Sequence, residues 1–419
     1  MRTTEVTPTP TAPTPAHPQE TNEQRGLPLL ALLALATAVF ITSLTETLPA
    51  GLLPAMSTDL GVSESATGQT VTIYAIGTAL TAIPLTAATA GWRRKRLLLT
   101  AMAGFAAANT VTALSTNYPL TMTARFVAGV AAGLAWALLA GYARRMAPPH
   151  LQGKAIAIAM AGIPVALSLG VPAGTFLGKA VSWQIAFLAM TALTVVLLAW
   201  IAALVPDYPG QGQKAQLKQQ RDDRDSTKPS MLHTLRVPGV TPVLFVTLVF
   251  VLAHTVLYTY IAAFLDELGM AGSTDVVLLV FGAASLLSIW IVGSLIHRRL
   301  RALTLASVLL VGVAAAVLAA FSDTPALVYV AVTLWGLGWG GAPTLLQTAA
   351  GDAAGDAADA AQAMLVTLWN IAMAAGGVFG GVLLGLVGTS SFPWTILLLL
   401  APVLLVVAAA RRHGFPGRA

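Results

Sequence analysis

Long apolar segments alternate with short polar segments along almost the whole chain. A helix that crosses a bilayer needs about 20 mostly apolar residues, and twelve segments meet this requirement. They are continuous and rich in leucine, alanine and valine, unlike the short alternating strands of a membrane barrel. The pattern predicts an all-α membrane protein with twelve transmembrane helices. These helices are predicted near residues 27–56, 66–90, 97–115, 119–143, 154–178, 184–206, 240–265, 274–296, 302–321, 325–349, 361–387 and 392–410.

The composition agrees with this pattern and excludes several classes of function. Of the 419 residues, 56% are hydrophobic and 10% are charged, whereas about 25% are charged in an ordinary soluble domain. The absence of cysteine excludes disulfides, thiolate metal sites and a thiol nucleophile. Neither a His-Glu-x-x-His metal motif nor a Gly-x-x-x-x-Gly-Lys phosphate loop occurs. We therefore expect no enzymatic activity, no cofactor and no metal ion.

The basic residues indicate how the chain lies in the membrane. All but Arg125 and Lys179 of the 23 lysines and arginines fall in the termini and in alternate loops. This is the positive-inside distribution for two cytoplasmic termini, so the net charge of +6 needs no nucleic-acid partner. The first segment is longer than the apolar core of a cleaved signal peptide, and we expect it to remain as helix 1 of a multi-pass protein of the cell membrane.

The chain divides into two halves with polar segments around them. Residues 27–206 and 240–410 contain six predicted helices each, and basic clusters follow the second and the eighth helix. Residues 1–26 are rich in proline and threonine and are predicted to form a disordered cytoplasmic tail. Residues 207–239 are a predicted cytoplasmic linker that includes a short amphipathic helix, and residues 411–419 are a second cytoplasmic tail. Two six-helix halves are typical of alternating-access transporters, although any twelve-helix protein has basic loops at intervals.

Helix 1 carries one carboxylate, Glu46, in an otherwise apolar stretch. An ionised group in hydrocarbon costs about 2.5–3.5 kcal/mol on insertion scales, so it usually faces a protein-lined, hydrated cavity. Glu46 shares a helical face with Thr42 and Pro49. Burial favours the protonated carboxyl and an approaching cation favours the ionised form, so alternating exposure would load and release a proton. The alternative is a carboxylate, held by threonine hydroxyls or backbone donors, that fixes helix packing.

Three motifs resemble a known family. They are Glu46-Thr-Leu-Pro-Ala-Gly-Leu-Leu-Pro54 in helix 1, Arg125-Phe-Val-Ala-Gly-Val-Ala-Ala-Gly133 in helix 4 and Gly170-Val-Pro-Ala-Gly174 in helix 5. They are similar to motifs of the drug:proton antiporter branch of the major facilitator superfamily, near the arabinose, purine-ribonucleoside and chloramphenicol efflux permeases. The resemblance covers residues 27–410. It implies two pseudo-symmetric six-helix bundles and export of a small organic compound in exchange for protons.

The resemblance also implies roles for particular residues. Glu46 and Arg125 are the implied proton-coupling pair. Counted at 1.5 Å per residue, Arg125 and Glu46 lie about 9 and 15 Å from the outer helix ends. We therefore hypothesise that Arg125 pairs with Glu46 in one state and releases it in another. The alternative is that Arg125 extends to the lipid headgroups.

Helix 5 carries the pattern that the resemblance assigns to gating in antiporters. Its prolines remove amide donors and are predicted to bend the helix. Gly170 and Gly174 are predicted to permit close contact with a helix of the other half. A bent and closely packed helix there would block leakage of protons or solute when the cavity is closed. The implied gating residues are Gly162, Pro164, Gly170, Pro172 and Gly174.

The loop after helix 2 departs from the family pattern. Relatives carry Gly-x-x-x-Asp-Arg-x-Gly-Arg-Arg, whereas this chain has Gly91 followed by Trp, Arg93 and Arg94. The basic residues are kept and the acid is missing. The loop between helices 10 and 11 carries Asp352, Asp356 and Asp359. Either one of these replaces the missing acid, or the family's ion pair between the halves is absent.

Polar and aromatic residues at mid-depth are the candidates for a substrate cavity. Tryptophan usually favours the two membrane interfaces, so mid-depth tryptophans either line a pocket that stacks on planar solutes or attracts cations, or pack in the core. Because the candidates are mostly uncharged, they favour a neutral or weakly charged organic solute. His254 is the one that titrates near neutrality in its ordinary state. The set is Thr42, Gln69, Asn109, His254, Tyr258, Trp335, Trp339, Gln347, Trp369 and Asn370.

The preferred hypothesis is a monomeric exporter that exchanges protons for an antibiotic or drug-like, nucleoside or sugar-like solute. The lipid bilayer, the solute and protons are its expected partners. Proton-symport uptake of a sugar or nucleoside would share the fold and reverse the coupling, and the motif of helix 5 argues against it. A membrane receptor or scaffold that has lost transport is a third reading, which the missing loop acid favours slightly.

Overall fold

The computed structural model describes residues 27–210 and 231–415. The predicted N-terminal tail, most of the predicted linker and the last four residues lie outside the described residues. A short helix, Met231–Arg236, precedes the second half, where the sequence predicts a short helix of the linker. The twelve long helices are α1 (Leu29–Leu60), α2 (Glu64–Ala88), α3 (Arg94–Leu114), α4 (Tyr118–Arg145), α5 (Gln152–Ala180), α6 (Trp183–Leu204), α7 (Val240–Thr259), α8 (Ala271–Ile296), α9 (Arg298–Phe321), α10 (Pro325–Ala354), α11 (Ala358–Leu386) and α12 (Ser391–Ala409).

The predicted all-α membrane protein with twelve helices is confirmed. Within the described ranges, eleven helices are long and apolar enough to cross a membrane. The other long helix, α2, has 25 residues but contains several threonines, a glutamine and Pro84. It packs against α4 of its own half and against α11 of the other half. A helix with protein on two sides tolerates polar side chains that lipid would not.

Helices α1–α6 and α7–α12 form two bundles that meet along α2 and α11, α5 and α8, and α1 and α7. Because the number of crossings is even, the start of α1 and the end of α12 lie at the same end of the bundle. We call this end, which contains Leu29 and Ala409, the terminal face. The other end, which contains Leu60 and Glu64, is the opposite face.

Two helix ends differ from the sequence prediction for local reasons. Helix α1 continues to Leu60 because Gly61, at φ 64°, ends it in the left-handed conformation. The Gly61 amide donates back to the carbonyls of Ser57 and Thr58, as in a glycine C-cap. The predicted loop between helices 8 and 9 is reduced to a kink at Arg299, where φ is −134° and ψ is 30° and α8 is separated from α9.

Helix α5 is irregular, as its two prolines predict. Residues Ala166–Gly170, between Pro164 and Pro172, form a π-helical segment. Proline cannot donate to the preceding turn, and a wider turn is one way in which a helix accommodates that loss. The prediction that its glycines contact the other half is wrong. A side chain at Gly170 would meet Phe40, and one at Gly174 would meet Leu48, so these glycines let α5 pack on α1 of the same half.

An acidic residue near the end of the first half contacts the basic loop after α2. Nε of Arg93 lies 2.5 Å from Oδ2 of Asp207, and the Lys95 amide donates to Oδ1 at 3.3 Å. The Arg94 amide donates to the Tyr208 carbonyl at 2.9 Å. Our sequence alternatives did not include Asp207. Arg93 therefore has an acidic partner within its own half, while the side chains of Asp356 and Asp359 lie outside the described residues.

We expect Asp207→Asn to lower the melting temperature by about 1–2 °C at neutral pH, because exposed ion pairs contribute little. Desolvation opposes ionisation of Asp207, but the hydrogen bonds from Arg93 and the Lys95 amide outweigh it and lower its pKa. A lowered carboxyl pKa stabilises the fold above the unfolded value of about 3.9. That contribution is lost as the pH falls through the folded value.

Thermal unfolding of the wild type and of Asp207→Asn between about pH 3 and pH 7 tests this expectation, since the range brackets the ordinary pKa of a carboxyl group. Asp323→Asn, on the loop between α9 and α10, is the control for removal of a loop carboxylate. A difference between wild type and Asp207→Asn that is equally large at both ends of the range would contradict the ion-pair account.

Candidate functional site

Arg125 holds three helices of the first half together. Its side chain is completely buried. Nη1 donates to the carbonyl of Thr45 at 2.7 Å, and Nε donates to the carbonyl of Thr70 at 3.2 Å. The guanidinium lies 5.0 Å from the centre of the Tyr74 ring, which is within cation–π range. Arg125 therefore does not extend to the headgroups, and it links α4 to α1 and α2 through backbone carbonyls.

Glu46 lies beside Arg125 without forming an ion pair. Its side chain is half-buried, and the two ion pairs among the described residues involve other groups. Nη2 of Arg125 instead approaches the main-chain carbonyl of Glu46 at 3.5 Å. The Glu46 carboxylate therefore has no ion-pair partner among the described residues. Pairing with Arg125 in another state stays a prediction.

Two predicted cavity residues, Thr42 of α1 and Asn109 of α3, are buried where α1 packs against its neighbours. The Thr42 hydroxyl donates to the Ala38 carbonyl at 2.8 Å, and the Thr42 carbonyl accepts from Tyr74 at 3.0 Å. Nδ2 of Asn109 donates to the Thr45 hydroxyl at 3.2 Å. Thr42 and Asn109 are both 0% exposed. In this conformation they fix α1 against α2 and α3, and their contact with a solute stays a prediction.

Five of the predicted cavity residues lie together in the second half, where α7, α10 and α11 meet. The rings of His254 and Trp339 are stacked, with centres 3.5 Å apart and planes 6° apart. The Trp339 and Trp369 centres are 5.7 Å apart. Phe281 of α8 joins them, with its centre 4.6 Å from that of Trp335. We call this set the aromatic cluster: His254, Tyr258, Phe281, Trp335, Trp339 and Trp369.

A hydrogen bond fixes the tautomer of His254. Nε1 of Trp335 donates to Nδ1 of His254 at 3.1 Å, and an indole nitrogen is a donor only. Nδ1 must therefore be unprotonated, which places the proton of the neutral ring on Nε2. The His254 ring is buried, with 8% of its surface exposed. The cluster thus presents aromatic faces and one fixed N–H donor, with no charge.

Tyr258 connects the aromatic cluster to α1 of the first half. Its ring stacks on His254 with centres 5.1 Å apart. Its hydroxyl lies close to Thr47 of α1. The hydroxyl is buried and has no hydrogen-bond partner among the residues that the structure describes. Through this side chain, the aromatic cluster of the second half reaches α1 of the first half.

Gln69 lies at the contact between the halves near the opposite face. Its Nε2 donates to the Tyr260 hydroxyl at 3.1 Å and to the Gly377 carbonyl at 3.2 Å. The Tyr260 hydroxyl donates to the same carbonyl at 2.8 Å. Ser65 donates to the Gly381 carbonyl at 2.6 Å. We call this contact of α2, α7 and α11 the seam, and the role of Gln69 in solute binding stays a prediction.

A second contact between the halves joins α5 and α8. Ser168, in the π-helical segment, donates to the Gly282 carbonyl at 2.9 Å. Nζ of Lys179 lies 2.6 Å from the Asp275 carboxylate and donates to the Gly272 carbonyl at 2.7 Å. Lys179 and Asp275 lie at the opposite face. Together with the seam, these bonds join the two halves on the side of the opposite face.

The two remaining cavity candidates lie outside the aromatic cluster. Gln347 is exposed, and its carbonyl accepts from Gln362 at 2.6 Å. Nδ2 of Asn370 donates to the Val366 carbonyl of its own helix at 2.9 Å. Their contact with a solute stays a prediction. Phe281 was missed from the sequence because one phenylalanine in an apolar helix carries no distinguishing pattern.

We expect Arg125→Lys to destabilise the protein even though the charge is kept. A lysine ammonium lacks the planar fork that matches several acceptors at once, and each buried carbonyl left without a donor costs about 1–3 kcal/mol. Thermal unfolding of the purified variant measures the loss. Arg144→Lys is the control, since Arg144 is exposed at the end of α4. Equal melting temperatures for Arg125→Lys and Arg144→Lys would contradict the assignment.

The class of protein follows from the fold and the site. Two six-helix bundles meet around a mid-depth carboxylate, a buried arginine and an aromatic cluster, an organisation typical of secondary transporters. A sequence model described as Major Facilitator Superfamily matches residues 35–377. The chain belongs to the Major Facilitator Superfamily and is a membrane transporter of a small solute.

Curated relatives carry several different names. The chain is 29% identical to the transcription regulatory protein OpdE of Pseudomonas aeruginosa, over 90% of this chain and 93% of that protein. It is 27% identical to a probable sugar efflux transporter of Mannheimia succiniciproducens, over 84% of this chain and 85% of that protein. It is 30% identical to YtbD, an uncharacterized MFS-type transporter of Bacillus subtilis, over 64% of this chain and 65% of that protein.

A solved structure supports the fold. The human organic anion transporter MFSD10 (TETRAN) matches 91% of this chain and 100% of its own chain, with a TM-score of 0.66 and 16% sequence identity. At that identity the likeness extends to the fold alone.

Proposed function

We propose that the protein exports a small, mostly uncharged organic solute across the cell membrane in exchange for protons. The observation that carries this proposal is the position of Glu46. It is the lone carboxyl of an otherwise apolar stretch of α1, half-buried and next to a buried arginine. A carboxyl in such a place binds and releases protons as its access to water changes.

The aromatic cluster is the proposed solute site. Ring faces stack on flat or apolar surfaces of a solute, and the Nε2–H of His254 offers a hydrogen bond to an oxygen or nitrogen. A site of this kind suits sugar-like, nucleoside or uncharged drug-like compounds. The name of the Mannheimia relative, a probable sugar efflux transporter, supports sugars as the first class to test.

Alternating access would connect the two sites. With the termini in the cytoplasm, as the basic loops favour, the present conformation is closed to the outside. A cytoplasmic solute then reaches the cluster while Glu46 releases its proton inward. When the seam opens and the terminal face closes, the solute leaves outward and Glu46 takes up a proton. We propose that the protein works in this way as a monomer.

The test is a solute screen in inside-out membrane vesicles that hold an acidic interior. Sugars, nucleosides, phenicols and other antibiotics are added one at a time, and a pH-sensitive dye reports the interior pH. Alkalinisation that depends on the transporter and on one solute class supports export coupled to protons. Acidification on solute addition would instead support proton-symport uptake.

A membrane-bound regulator is the second candidate. The observation that favours it is the relative named transcription regulatory protein OpdE, which aligns with 90% of this chain. A regulator would bind a solute without moving it. Saturable binding to the purified protein, with neither solute flux nor proton flux in liposomes, would favour this candidate over an exporter.

A further inference from the structure

The chain after α12 folds back onto the start of α7 at the terminal face. The amides of Gly414 and Phe415 donate to the Ala410 carbonyl at 3.1 and 2.9 Å, and the Phe415 side chain is completely buried. Gly239, at φ 98°, lies so close to His413 that a side chain at position 239 would overlap the His413 carbonyl. The first part of the predicted C-terminal tail is therefore packed against the second half.

This packing forms a basic cavity between the start of α7 and the end of α12. Its volume is about 340 Å³, which lies in the range of about 300–1,000 Å³ that is usual for ligand sites. Arg411 and Arg412 line it together with His413. No carboxylate is among the lining residues, all of which lie in the described part of the chain. Because arginine is always charged, the cavity favours an anion.

The cavity lies at the depth of the lipid headgroups. Helices α7 and α12 contain 20 and 19 residues. At 1.5 Å per residue each is about 30 Å long, which equals the thickness of the hydrocarbon core. The ends of these helices therefore reach the boundary at which phospholipids carry their phosphate. A guanidinium group matches phosphate oxygens with two parallel hydrogen bonds.

An exposed apolar face of α12 leads to the cavity. Leu398 and Leu405 are 75% and 70% exposed, and Pro402 between them is exposed as well. Ala409, four residues after Leu405, is exposed and lines the cavity. Residues three and four apart share one face of a helix, so these four form a continuous stripe. An inorganic anion would use the cavity alone, whereas a phospholipid would use the cavity and the stripe.

We propose that this cavity binds the headgroup of an anionic phospholipid, with Arg411 and Arg412 on the phosphate and an acyl chain along the exposed face of α12. Basic pockets between transmembrane helices bind anionic headgroups in this way. A zwitterionic lipid fits less well, because the arginines repel its ammonium group. The site lies at the terminal face and not at mid-depth with Glu46, so this inference does not depend on the proposed function.

The test compares binding of phosphatidylglycerol and phosphatidylcholine to the purified full-length protein. Native mass spectrometry resolves the first lipid adduct of each. Each basic residue at a membrane surface raises the affinity for anionic lipid about fivefold, so we expect wild type to prefer phosphatidylglycerol by about 20-fold. Most of this preference should be lost in the double variant Arg411→Gln/Arg412→Gln. The control is Arg144→Gln/Arg145→Gln, which removes the same charge from exposed positions at the end of α4 and should bind like wild type.

Phe415→Ala distinguishes the cavity from a general attraction between basic residues and lipid. It keeps both arginines and removes the buried side chain that holds the end of the chain in place. We expect it to lose most of the preference for phosphatidylglycerol while its helical circular dichroism stays unchanged. Inorganic phosphate, added in excess over the lipid, is the probe for a lipid-independent anion site and should leave the phosphatidylglycerol adduct in place.

Four results would overturn the proposal. Wild type that binds both lipids equally, or an Arg411→Gln/Arg412→Gln variant that keeps the full preference, would contradict the role of the arginines. A full preference in Phe415→Ala would contradict the role of the cavity. Displacement of phosphatidylglycerol by inorganic phosphate would leave an anion site that has no use for acyl chains. Because no variant alters Glu46 or the aromatic cluster, the proposed export function stands or fails separately.

Discussion

Glu46→Gln is expected to abolish solute-driven proton movement and to leave solute binding almost unchanged. Glutamine keeps the shape and the hydrogen-bonding reach of the side chain, but it has no proton to exchange. Because the aromatic cluster lies on the other half, its stacking geometry does not depend on the charge at position 46. We expect proton flux to fall to the background of empty liposomes, while exchange of labelled solute between two equal pools continues.

The measurement pairs a pH-sensitive dye with labelled solute in liposomes that contain the purified protein. Glu64→Gln, at the start of α2 near the opposite face, is the matched control and should retain proton flux. If Glu46→Gln moves protons as fast as wild type, Glu46 has only a packing role. If it loses solute exchange as well as proton flux, the separation of the two sites is contradicted.

Gly381→Leu is expected to stop transport by preventing closure of the opposite face. A side chain at position 381 would meet the Tyr260 hydroxyl at 2.6 Å and Gln69 at 2.7 Å, which is closer than van der Waals contact allows. The hydrogen bond from Ser65 to the Gly381 carbonyl would be displaced with them. The halves would then stay apart at this face, so the state described here could not form.

Gly385→Leu, one turn further along α11, is the control because a side chain there meets no atom within 4 Å. We expect less than about a tenth of wild-type solute flux in Gly381→Leu and nearly full flux in Gly385→Leu. Label accessibility at cysteines placed in the seam should rise only in Gly381→Leu. Full transport by Gly381→Leu would show that closure of the seam is not needed for the cycle.

The membrane-spanning helices could be predicted from the sequence because the bilayer imposes one length and one polarity on each of them. The ends of the helices depend instead on local caps and kinks. The positive φ of Gly61 extends α1, and the kink at Arg299 replaces a predicted loop. Hydropathy averages over many residues and does not contain this information.

The aromatic cluster could be anticipated in part because spacing within a helix places residues on one face. His254 and Tyr258 are four residues apart, as are Trp335 and Trp339, and each pair points in one direction. Which helices those faces meet is a question of tertiary packing. Phe281 was therefore missed, although it contacts both pairs.

Tertiary packing also decides which partners contact Gln69, Gly170 and Asp207, and the sequence pattern does not contain it. The depth of Gln69 along α2 could be predicted from its position in the sequence, but its place in the seam depends on α7 and α11. Gly170 was expected to face the other half and instead faces α1. Asp207 is separated from Arg93 by more than a hundred residues, so no local motif connects them.

The most direct test of the central claim is uphill solute transport driven by a proton gradient alone. Purified wild-type protein is placed in liposomes, a pH gradient is imposed, and a solute identified by the vesicle screen is supplied at equal concentration on both sides. The account predicts that the solute accumulates on the more acidic side, against its own gradient, and that Glu46→Gln abolishes the accumulation. Accumulation on the more alkaline side, or none while the solute still equilibrates, would contradict proton-coupled export.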